Sequence, residues 1–237
     1  NDPNSILLTV DRKSATQLGL GQNFTAIYNS FATALNSDKP VATALSSLQT
    51  EEEFRTGMLQ LLPDTSGATL QAALNNQDMG TGMIRRRLVA VAKSGLPNHA
   101  QGDVAGFWAQ ALGGYSEQDA KGEQPGFSIW GLGIAIGADM PVFDTAHIGI
   151  SVVESWQSAT LNVSNNSPVE FYTTQRSTYA RHQSERFYTQ AILTAAYNTY
   201  DTERKIDFGG LNRTAVGSWT GYQWGGSVET GTFFNWN

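Results

Sequence analysis

The sequence of 237 residues contains no cysteine, so it has neither a disulfide framework nor a metal site built from thiolates. Histidine is rare as well: His99, His147 and His182 are widely separated and form no i, i+4 pair that would bind a metal ion. No serine lies in a Gly-x-Ser-x-Gly motif, and the glycine-rich run 131–137 continues a strand pattern instead of opening a helix. We therefore expect no catalytic, cofactor-binding or metal-binding residues and no cofactor.

The chain also lacks an excess of basic residues and any long apolar segment. Its 15 Lys and Arg against 21 Asp and Glu give a net charge of −6, which argues against a nucleic-acid-binding protein. No run approaches the roughly 18 consecutive apolar residues of a transmembrane helix. The N-terminal Asn1-Asp-Pro-Asn4 does not resemble a signal peptide, so we expect any export signal to lie upstream or to have been removed.

Aromatic residues are concentrated in the second half of the chain. Before residue 100 the aromatic residues are Phe24, Tyr28, Phe31 and Phe54, and every tryptophan follows. The segment Lys93–Gly102 between the two parts is rich in Gly, Pro and Asn, which break regular structure. The chain therefore divides into a helical first part and a strand-rich second part.

The helical first part opens with a short predicted strand, Ser5–Asp11, and a helix from about Asn23 to Leu35. A short helix follows Asp38, and a capping box formed by Thr50 and Glu53 predicts another that Pro63 ends. The last helix of this part, Ser66 to Val91, is long and polar, and Gly80 and Gly82 each weaken it by about 1 kcal/mol relative to Ala. Such a helix suits a narrow hydrated enclosure better than a soluble core.

Alternation of apolar and small residues is clearest between Phe127 and Met140. Trp130, Leu132, Ile134 and Ile136 alternate there with Gly131, Gly133, Gly137 and Asp139. Successive side chains of a strand point to opposite faces, so one face is apolar and the other nearly bare. A soluble sheet buries such an apolar face against a core, whereas an outer-membrane barrel turns it towards lipid.

The second half as a whole predicts five antiparallel strands. They run from Phe107 to Tyr115, from Phe127 to Met140, from about His147 to Ala159, from about Phe187 onwards, and from about Trp219 to Phe234. The connections 117–126 and 161–186 are long and polar and 141–146 is short, an alternation typical of external loops and periplasmic turns.

Two sets of residues in these strands bear on a membrane interpretation. Trp130, Trp156, Trp219 and Trp224 are candidates for interfacial aromatic girdles, and Trp108 lies near a strand end, as a girdle residue would. Glu154 falls on the same side as Ile150 and Val152, so we expect it either beyond the hydrocarbon or turned inward by a bulge.

Several short motifs, in their order along the chain, resemble the translocator region of a Gram-negative autotransporter (type V secretion). The motifs are Leu61-Leu-Pro-Asp64, Arg85-Arg-Arg-Leu88, Phe107–Tyr115, Phe127–Pro141 and Ala191–Ile206. The resemblance implies a mainly β fold: an antiparallel transmembrane β-barrel of the outer membrane, twelve-stranded in the family and threaded by an N-terminal helix. Its function would be to anchor an upstream passenger and deliver it to the cell surface, without enzymatic activity.

The resemblance also implies a division of the chain and a set of partners. Residues 1–65 would be the passenger's C-terminal end, 66–101 the linker helix in the barrel lumen, and 102–237 the first part of the barrel domain. The partners would be outer-membrane lipid, the passenger, the barrel-assembly machinery and further barrel strands, because five strands cannot close a barrel and exposed strand edges are not tolerated in hydrocarbon.

Individual residues acquire expected positions from this resemblance. The residues expected to face the lumen are Gly131, Gly133, Gly137, Asp139, Gln190, Thr194, Gln223 and Glu229, whereas Trp130, Leu132, Ile134 and Ile136 are expected to face lipid. Arg85, Arg86 and Arg87 would meet lumen carboxylates such as Asp139 or Glu229. Some autotransporters cut themselves at an Asn-Asn pair in the lumen helix, but we interpret Asn75-Asn76 as two polar residues of a hydrated helix.

Two other classes of protein stay open at this point. The first is a soluble or surface-exposed β-sandwich binding module, similar to an adhesin, in which the tryptophans would form a core or a sugar-binding platform. The second is an enzyme such as a hydrolase, which would require a functional pair of acidic residues in the 161–186 segment.

Overall fold

The computed structural model describes residues 13–18, 21, 25, 26, 28, 29, 37–62, 64, 66–93, 106–122, 124–143, 145–162 and 168–232. Four sequence-based predictions fall largely or wholly outside this part of the chain. They are the strand Ser5–Asp11, the helix Asn23–Leu35, the breaker Lys93–Gly102 and the last residues of the fifth strand.

Three helices precede the sheet in the described part of the chain after Ser37. They are α1 at Lys39–Ser46, α2 at Glu51–Leu61 and α3 at Ala68–Lys93. Asp38 caps α1 by accepting a hydrogen bond from the backbone N–H of Val41, and Thr50 forms with Glu53 the capping box that the sequence predicts. None of the helices in the described ranges is both long enough and apolar enough to cross a membrane.

The start of α3 is organised by the carboxylate of Asp64. One carboxylate oxygen accepts from the backbone N–H of Ser66 at 2.9 Å and from its hydroxyl at 2.6 Å. The other accepts from the backbone N–H of Thr69 at 2.9 Å and from its hydroxyl at 2.8 Å. These bonds satisfy donors that a helix N-terminus leaves without an intrahelical partner.

Six strands in the described residues form one antiparallel sheet in which each strand pairs with its neighbours in sequence. The strands are β1 at Gly106–Gln118, β2 at Phe127–Phe143, β3 at Ala146–Leu161, β4 at Pro168–Gln183, β5 at Phe187–Phe208 and β6 at Leu211–Thr232. The mainly β, antiparallel fold class with preceding helices is confirmed, with six strands instead of five.

The strand that the sequence does not predict is β4. It occupies most of the segment 161–186, for which the sequence predicts a long loop. Its pairing with β3 and β5 is regular along its length. Both of its faces carry polar residues in the middle, for example Thr173 and Gln175 on one face and Thr174 and Arg176 on the other. Without a polar–apolar alternation, the period-two signal of a strand is lost.

The last strand also begins earlier than predicted, at Leu211 instead of Trp219. The turn between β5 and β6 consists of Gly209 and Gly210, which have φ angles of +53° and +81°. Positive φ at both central residues matches the twist of a tight hairpin and favours glycine. Beyond Thr202, β5 pairs with β6 alone, so the end of this hairpin projects past β4.

Helices α1 and α2 pack on the projecting end of the β5–β6 hairpin and are called here the helical cap. Val41, Ala44, Leu45, Met58 and Leu62 of the cap form one buried cluster with Ile206 and Leu211 of the hairpin. Gly209 approaches so closely that a Cβ there would lie 2.2 Å from the carbonyl oxygen of Ala44. Arg213 forms an ion pair with Asp38 at 2.8 Å, and the Arg204 guanidinium donates to the carbonyl of Leu62.

We predict that Asp64→Asn lowers the stability of the α3 N-terminus by on the order of 1 kcal/mol, because the amide replaces one acceptor oxygen. Burial raises the pKa of the Asp64 carboxyl, but hydrogen bonds from Ser66 and Thr69 outweigh burial and hold the pKa below its ordinary value. A lowered folded-state pKa gives stability that is present above about pH 4 and is lost as the pH falls through the folded-state value.

The measurement is thermal unfolding by far-UV circular dichroism of both proteins between pH 7 and pH 3. The difference in melting temperature between the unmodified protein and Asp64→Asn is expected to become smaller below about pH 4. A difference in melting temperature that stays constant over this pH range contradicts the role given to the ionised carboxylate.

Candidate functional site

Helix α3 lies against one face of the sheet, and small side chains let its first turns approach. Ala68 and Ala72 are buried against Phe127 and Ile129 of β2, and the same cluster includes Ala159, Val169, Phe171 and Tyr200. The aromatic side chains at this end of the sheet thus cover the start of α3, next to the helical cap.

The middle of α3 contacts the sheet through amide side chains. Asn76 is buried, and its side-chain oxygen accepts from the Ser155 hydroxyl at 2.7 Å and from the Gln157 amide at 3.4 Å. On the other side of the helix, Gln223 of β6 donates to Gln77 and to the carbonyl of Ala73. A polar helix is therefore matched to a polar sheet face.

Three close approaches in this region depend on glycine. A Cβ at Gly225 would lie 1.8 Å from the Gln77 side-chain nitrogen, and a Cβ at Gly80 would lie 2.6 Å from that of Gln175. A Cβ at Gly114 would lie 3.2 Å from the sulfur of Met79. The glycines that weaken α3 in isolation thus include one, Gly80, that permits its contact with the sheet.

The end of α3 is held by a bidentate ion pair. Arg87 donates to the two carboxylate oxygens of Asp139 at 2.7 and 2.9 Å, and Asp139 is only 5% exposed. The Tyr179 hydroxyl donates to the same carboxylate at 3.2 Å and accepts from the Trp108 indole at 2.8 Å. Met83, Ile84 and Leu88 pack around this network with Trp108, Val153, Tyr179 and Ile192.

The other two arginines have different surroundings. Arg85 lies 4.0 Å from Glu229, and both side chains are more than two-fifths exposed. The Glu229 carboxylate also accepts from Tyr188 at 2.7 Å and from Gln190 at 2.9 Å. Arg86 is exposed and makes no ion pair with a carboxylate of the described residues.

All the residues that the sequence analysis assigns to the lumen lie on the helix-covered face of the sheet. They are Gly131, Gly133, Gly137 and Asp139 of β2, Gln190 and Thr194 of β5, and Gln223 and Glu229 of β6. The three β2 glycines make room for neighbouring strands more than for the helix. A Cβ at Gly137 would lie 2.4 Å from the Trp108 ring, and one at Gly131 would lie 2.5 Å from the Gln157 side chain.

The opposite face of the sheet, called here the outward face, is exposed and apolar. Trp130, Leu132, Ile134 and Ile136 lie on it and are 45–55% exposed. Ile148, Ile150, Leu193 and Val228 continue the same surface across β3, β5 and β6. Monomeric soluble proteins rarely expose an apolar surface of this extent.

Aromatic residues border this apolar surface at both ends of the strands. The row nearest the helical cap has one residue from each strand: Tyr115, Trp130, Trp156, Tyr172, Tyr197 and Tyr222. Within this row Tyr115 faces Trp130, Trp156 faces Tyr172, and Tyr197 faces Tyr222 across the strand ladders. At the far end lie Phe107, Phe143 and Phe187. An apolar band between two aromatic rows is typical of outer-membrane barrels.

Two of the tryptophans that we considered as girdle residues lie on the other face of the sheet. Trp108 is buried under α3, and Trp219 stacks on Tyr200 at 5.2 Å between ring centroids. Sequence alone did not place them, because β1 has no clear alternation and the true start of β6 was missed. Glu154 lies on the outward face, and no register shift of its strand turns it inward.

Comparison with known protein families decides the class. The model of the autotransporter beta-domain family matches residues 107–237, more than half of the chain. The chain belongs to this family. A comparison with curated proteins finds no match. The autotransporter beta-domain is an outer-membrane translocator domain of type V secretion in Gram-negative bacteria, so the β strands of this chain belong to such a domain.

We predict that Arg87→Ala releases the end of α3 from the sheet. The substitution leaves the buried Asp139 carboxylate without its counter-charge, which costs about 3–5 kcal/mol. Arg85→Ala is the matched control, because an exposed pair at 4.0 Å contributes about 0–1 kcal/mol. Hydrogen exchange of the α3 amides is expected to accelerate strongly in Arg87→Ala and little in Arg85→Ala, and equal protection in both variants rules out the anchoring role.

We predict that Gly225→Val displaces the middle of α3, because the added side chain collides with Gln77 and overpacking costs about 1–3 kcal/mol. Gly226→Val is the control, since Gly226 lies on the outward face of the same strand. Hydrogen exchange around Gln77 is expected to rise in the first variant alone. The same exchange in both variants contradicts the close approach.

Proposed function

We propose that this chain anchors and delivers a passenger located upstream of α3, with α3 passing along the inside of the barrel to which β1–β6 belong. One observation carries the proposal: α3, a polar helix of 26 residues, lies on the polar face of a sheet whose other face is apolar and exposed. Lipid accounts for the apolar face, and a hydrated lumen accounts for the polar helix.

The mechanism that follows is positional and involves no bond chemistry by the chain. The Arg87–Asp139 pair at one end and the aromatic cluster over Ala68 and Ala72 at the other hold α3 in place after passage. Residues 1–65 would then form the passenger end, 66–101 the linker and 102–237 the barrel part.

The helical cap gives the passenger end a fixed attachment. Helices α1 and α2 bury apolar side chains on the β5–β6 hairpin, and the backbone N–H of Asp207 donates to Gln60 at 2.7 Å. We infer that the segment leaving the barrel folds directly onto this hairpin, which would oppose backward movement of the chain.

We infer the orientation in the membrane from the connections. The turns between β2 and β3 and between β4 and β5 are short. The opposite end of the sheet has the longer β1–β2 and β3–β4 loops and the β5–β6 hairpin, which projects past β4 before its tight turn. Short turns lie on the periplasmic side of outer-membrane barrels. We therefore place the helical cap and the start of α3 at the cell surface. Assembly would require the barrel-assembly machinery and the membrane itself.

A β-sandwich binding module is less consistent with the structure. The strands of the described residues form one sheet, and no second sheet covers the outward face. The 161–186 segment, where an enzyme would need an acidic pair, is mostly the paired strand β4.

Epitope tags test the proposed function and its orientation in intact cells. Tags inserted at Gly21 and in the β1–β2 loop at Gly122 are expected to bind antibody on intact Gram-negative cells. A tag in the β4–β5 turn at Glu185 is expected to bind only after the outer membrane is permeabilised. Staining of the Glu185 tag on intact cells would contradict the proposed orientation. Failure of the protein to reach the outer membrane would refute the proposed function.

We predict that the chain does not cut itself between Asn75 and Asn76. Both side chains are engaged in neutral hydrogen bonds, Asn75 with Gln71 and Ser116, and Asn76 with Ser155 and Gln157. The mass of the mature protein is expected to include residues on both sides of this bond. A product that begins at Asn76 contradicts the prediction.

A further inference from the structure

Two charged side chains and one hydroxyl interrupt the apolar band of the outward face. Glu154 of β3 faces Thr174 of β4 across the ladder, and Arg176 lies two positions further along β4. The neighbours of the two charged residues on β2 and β5 are Ile134 and Ala195, so the charges have apolar surroundings. We call Glu154, Thr174 and Arg176 the polar notch.

The polar notch lies inside the apolar band, below the level of the headgroups. Glu154 precedes the row residue Trp156 by two positions on β3, about 7 Å along the strand. Arg176 follows the row residue Tyr172 by four positions on β4, about 13 Å along the strand. The band of an outer-membrane barrel is about 25 Å tall, so lipid offers no counter-charge at this depth. Charged groups in such positions are normally paired with other protein groups.

The charges of the polar notch are only partly satisfied within one copy of the chain. The Thr174 hydroxyl donates to Glu154 at 2.9 Å. In the part of the chain that the structure describes, Arg176 makes no hydrogen bond or ion pair, with Glu154 or with any other residue. A guanidinium carries five donors, and a carboxylate accepts about four hydrogen bonds, so both have unused capacity.

The tilt of the strands brings the two charges to nearly the same depth. The aromatic row marks one level across the sheet, and its residue on β3 is Trp156, although Trp130 of β2 pairs with Ser158. The same step of two positions recurs between β4 and β5, whereas the row residues of the other neighbouring strands pair directly. A level line therefore shifts by about one position per strand towards the β4–β5 turn, as tilted barrel strands require. Since Arg176 lies two positions beyond the ladder partner of Glu154 in that direction, their depths differ by about one position, roughly 3 Å.

This arrangement of charges is complementary to itself. Two copies that share one orientation in a membrane can be related by a two-fold axis along the membrane normal, which preserves depth. An axis that passes between Glu154 and Arg176 sets the carboxylate of each copy opposite the guanidinium of the other. Two identical, charge-assisted ion pairs result.

The apolar side chains next to the notch fit the same two-fold axis. Away from the aromatic row, the outward residues of β3 are the large Val152, Ile150 and Ile148, whereas those of β4 are the small Thr178 and Ala180. Hollows of about 480 and 760 Å³ lie next to Thr178, and the smaller hollow also reaches Ala180. The axis sets β3 of one copy on β4 of the other, so the large side chains of each copy face the hollows of its partner.

We propose that the chain forms a two-fold dimer through the outward face of β3 and β4, with reciprocal Glu154–Arg176 ion pairs inside the membrane. A second copy supplies both missing counter-charges and removes both charges from the hydrocarbon. Because barrel walls curve away from a line of contact, the interface covers mainly β3 and β4 and leaves β2 next to lipid. The proposal rests on the proposed membrane function, since a membrane fixes both copies to one orientation and depth.

Exchange of charges between two variants in the same vesicles tests the dimer. Glu154→Arg leaves two guanidinium groups in the notch, and Arg176→Glu leaves two carboxylates, so each variant repels further copies of itself. A mixture of the two variants restores both ion pairs across the axis, which an ion pair within one copy cannot do. Energy transfer between dyes on Glu185→Cys, in the β4–β5 turn, reports association, because the chain has no other cysteine.

The chain with an intact notch is expected to show energy transfer above the level of random encounters. Each charge variant is expected to weaken association roughly tenfold or more, and an equimolar mixture of the two variants is expected to regain it. Glu170→Arg, on the outward face outside the notch, and Lys121→Glu, in the β1–β2 loop, are matched controls. Both are expected to associate like the chain with an intact notch, alone and mixed.

Protease protection of the strands in the same vesicles separates the dimer from the membrane function. Protected strands without association, or with association that neither charge variant weakens, overturn the dimer and leave the membrane function standing, as does a mixture that regains nothing. Unprotected strands in the chain with an intact notch overturn both. Should the charge variants not insert, Glu154→Gln and Arg176→Gln replace them, and association as strong as with an intact notch then overturns the dimer.

Discussion

The period-two alternation of side chains in one antiparallel sheet is the constraint on which the rest of the structure depends. Because each strand of the sheet keeps its register with the next, the residues that meet α3 collect on one face and the exposed apolar residues on the other. A shift by one residue in any strand would exchange these faces. The position of α3 and the exposure of the apolar band both follow from this separation.

The helix-covered face combines an apolar cluster at each end of α3 with polar contacts along its middle. Amide and hydroxyl groups of Asn76, Gln77 and their partners satisfy each other along the middle of α3. The bidentate Arg87–Asp139 pair adds a fixed point at one end, where apolar packing around Leu88 excludes water. Buried polar groups stabilise a structure only when they are hydrogen-bonded, so this interface specifies one position of the helix.

The sequence predicts those elements in which local chemistry and tertiary environment agree. The middle of strand β2 is recognisable because its outward residues from Trp130 to Ile136 are large and apolar, whereas its inner residues from Gly131 to Gly137 are glycine or alanine. The capping box of α2 is recognisable because a side chain and a backbone group four positions or fewer apart satisfy each other.

Other features depend on partners that are distant in sequence and were therefore missed or left open. Strand β4 is polar on both faces at its centre, since Thr173 and Gln175 lie on the helix-covered face and Thr174 and Arg176 on the outward face. Trp108 lies under α3 because Gly137 on the next strand leaves space for its ring. Which of three consecutive arginines reaches Asp139 depends on the rotation of α3, which only the folded sheet fixes.

The most direct test of this account measures what surrounds the outward face in a bilayer. Nitroxide labels at Ile134 and Ile136 are compared with one at Ala135, which lies on the helix-covered face, by their accessibility to oxygen and to a polar nickel chelate. We expect oxygen, but not the nickel chelate, to reach the labels at 134 and 136. Neither reagent is expected to reach the label at 135. Labels at 134 and 136 that nickel relaxes, or that are shielded like the one at 135, would contradict the account.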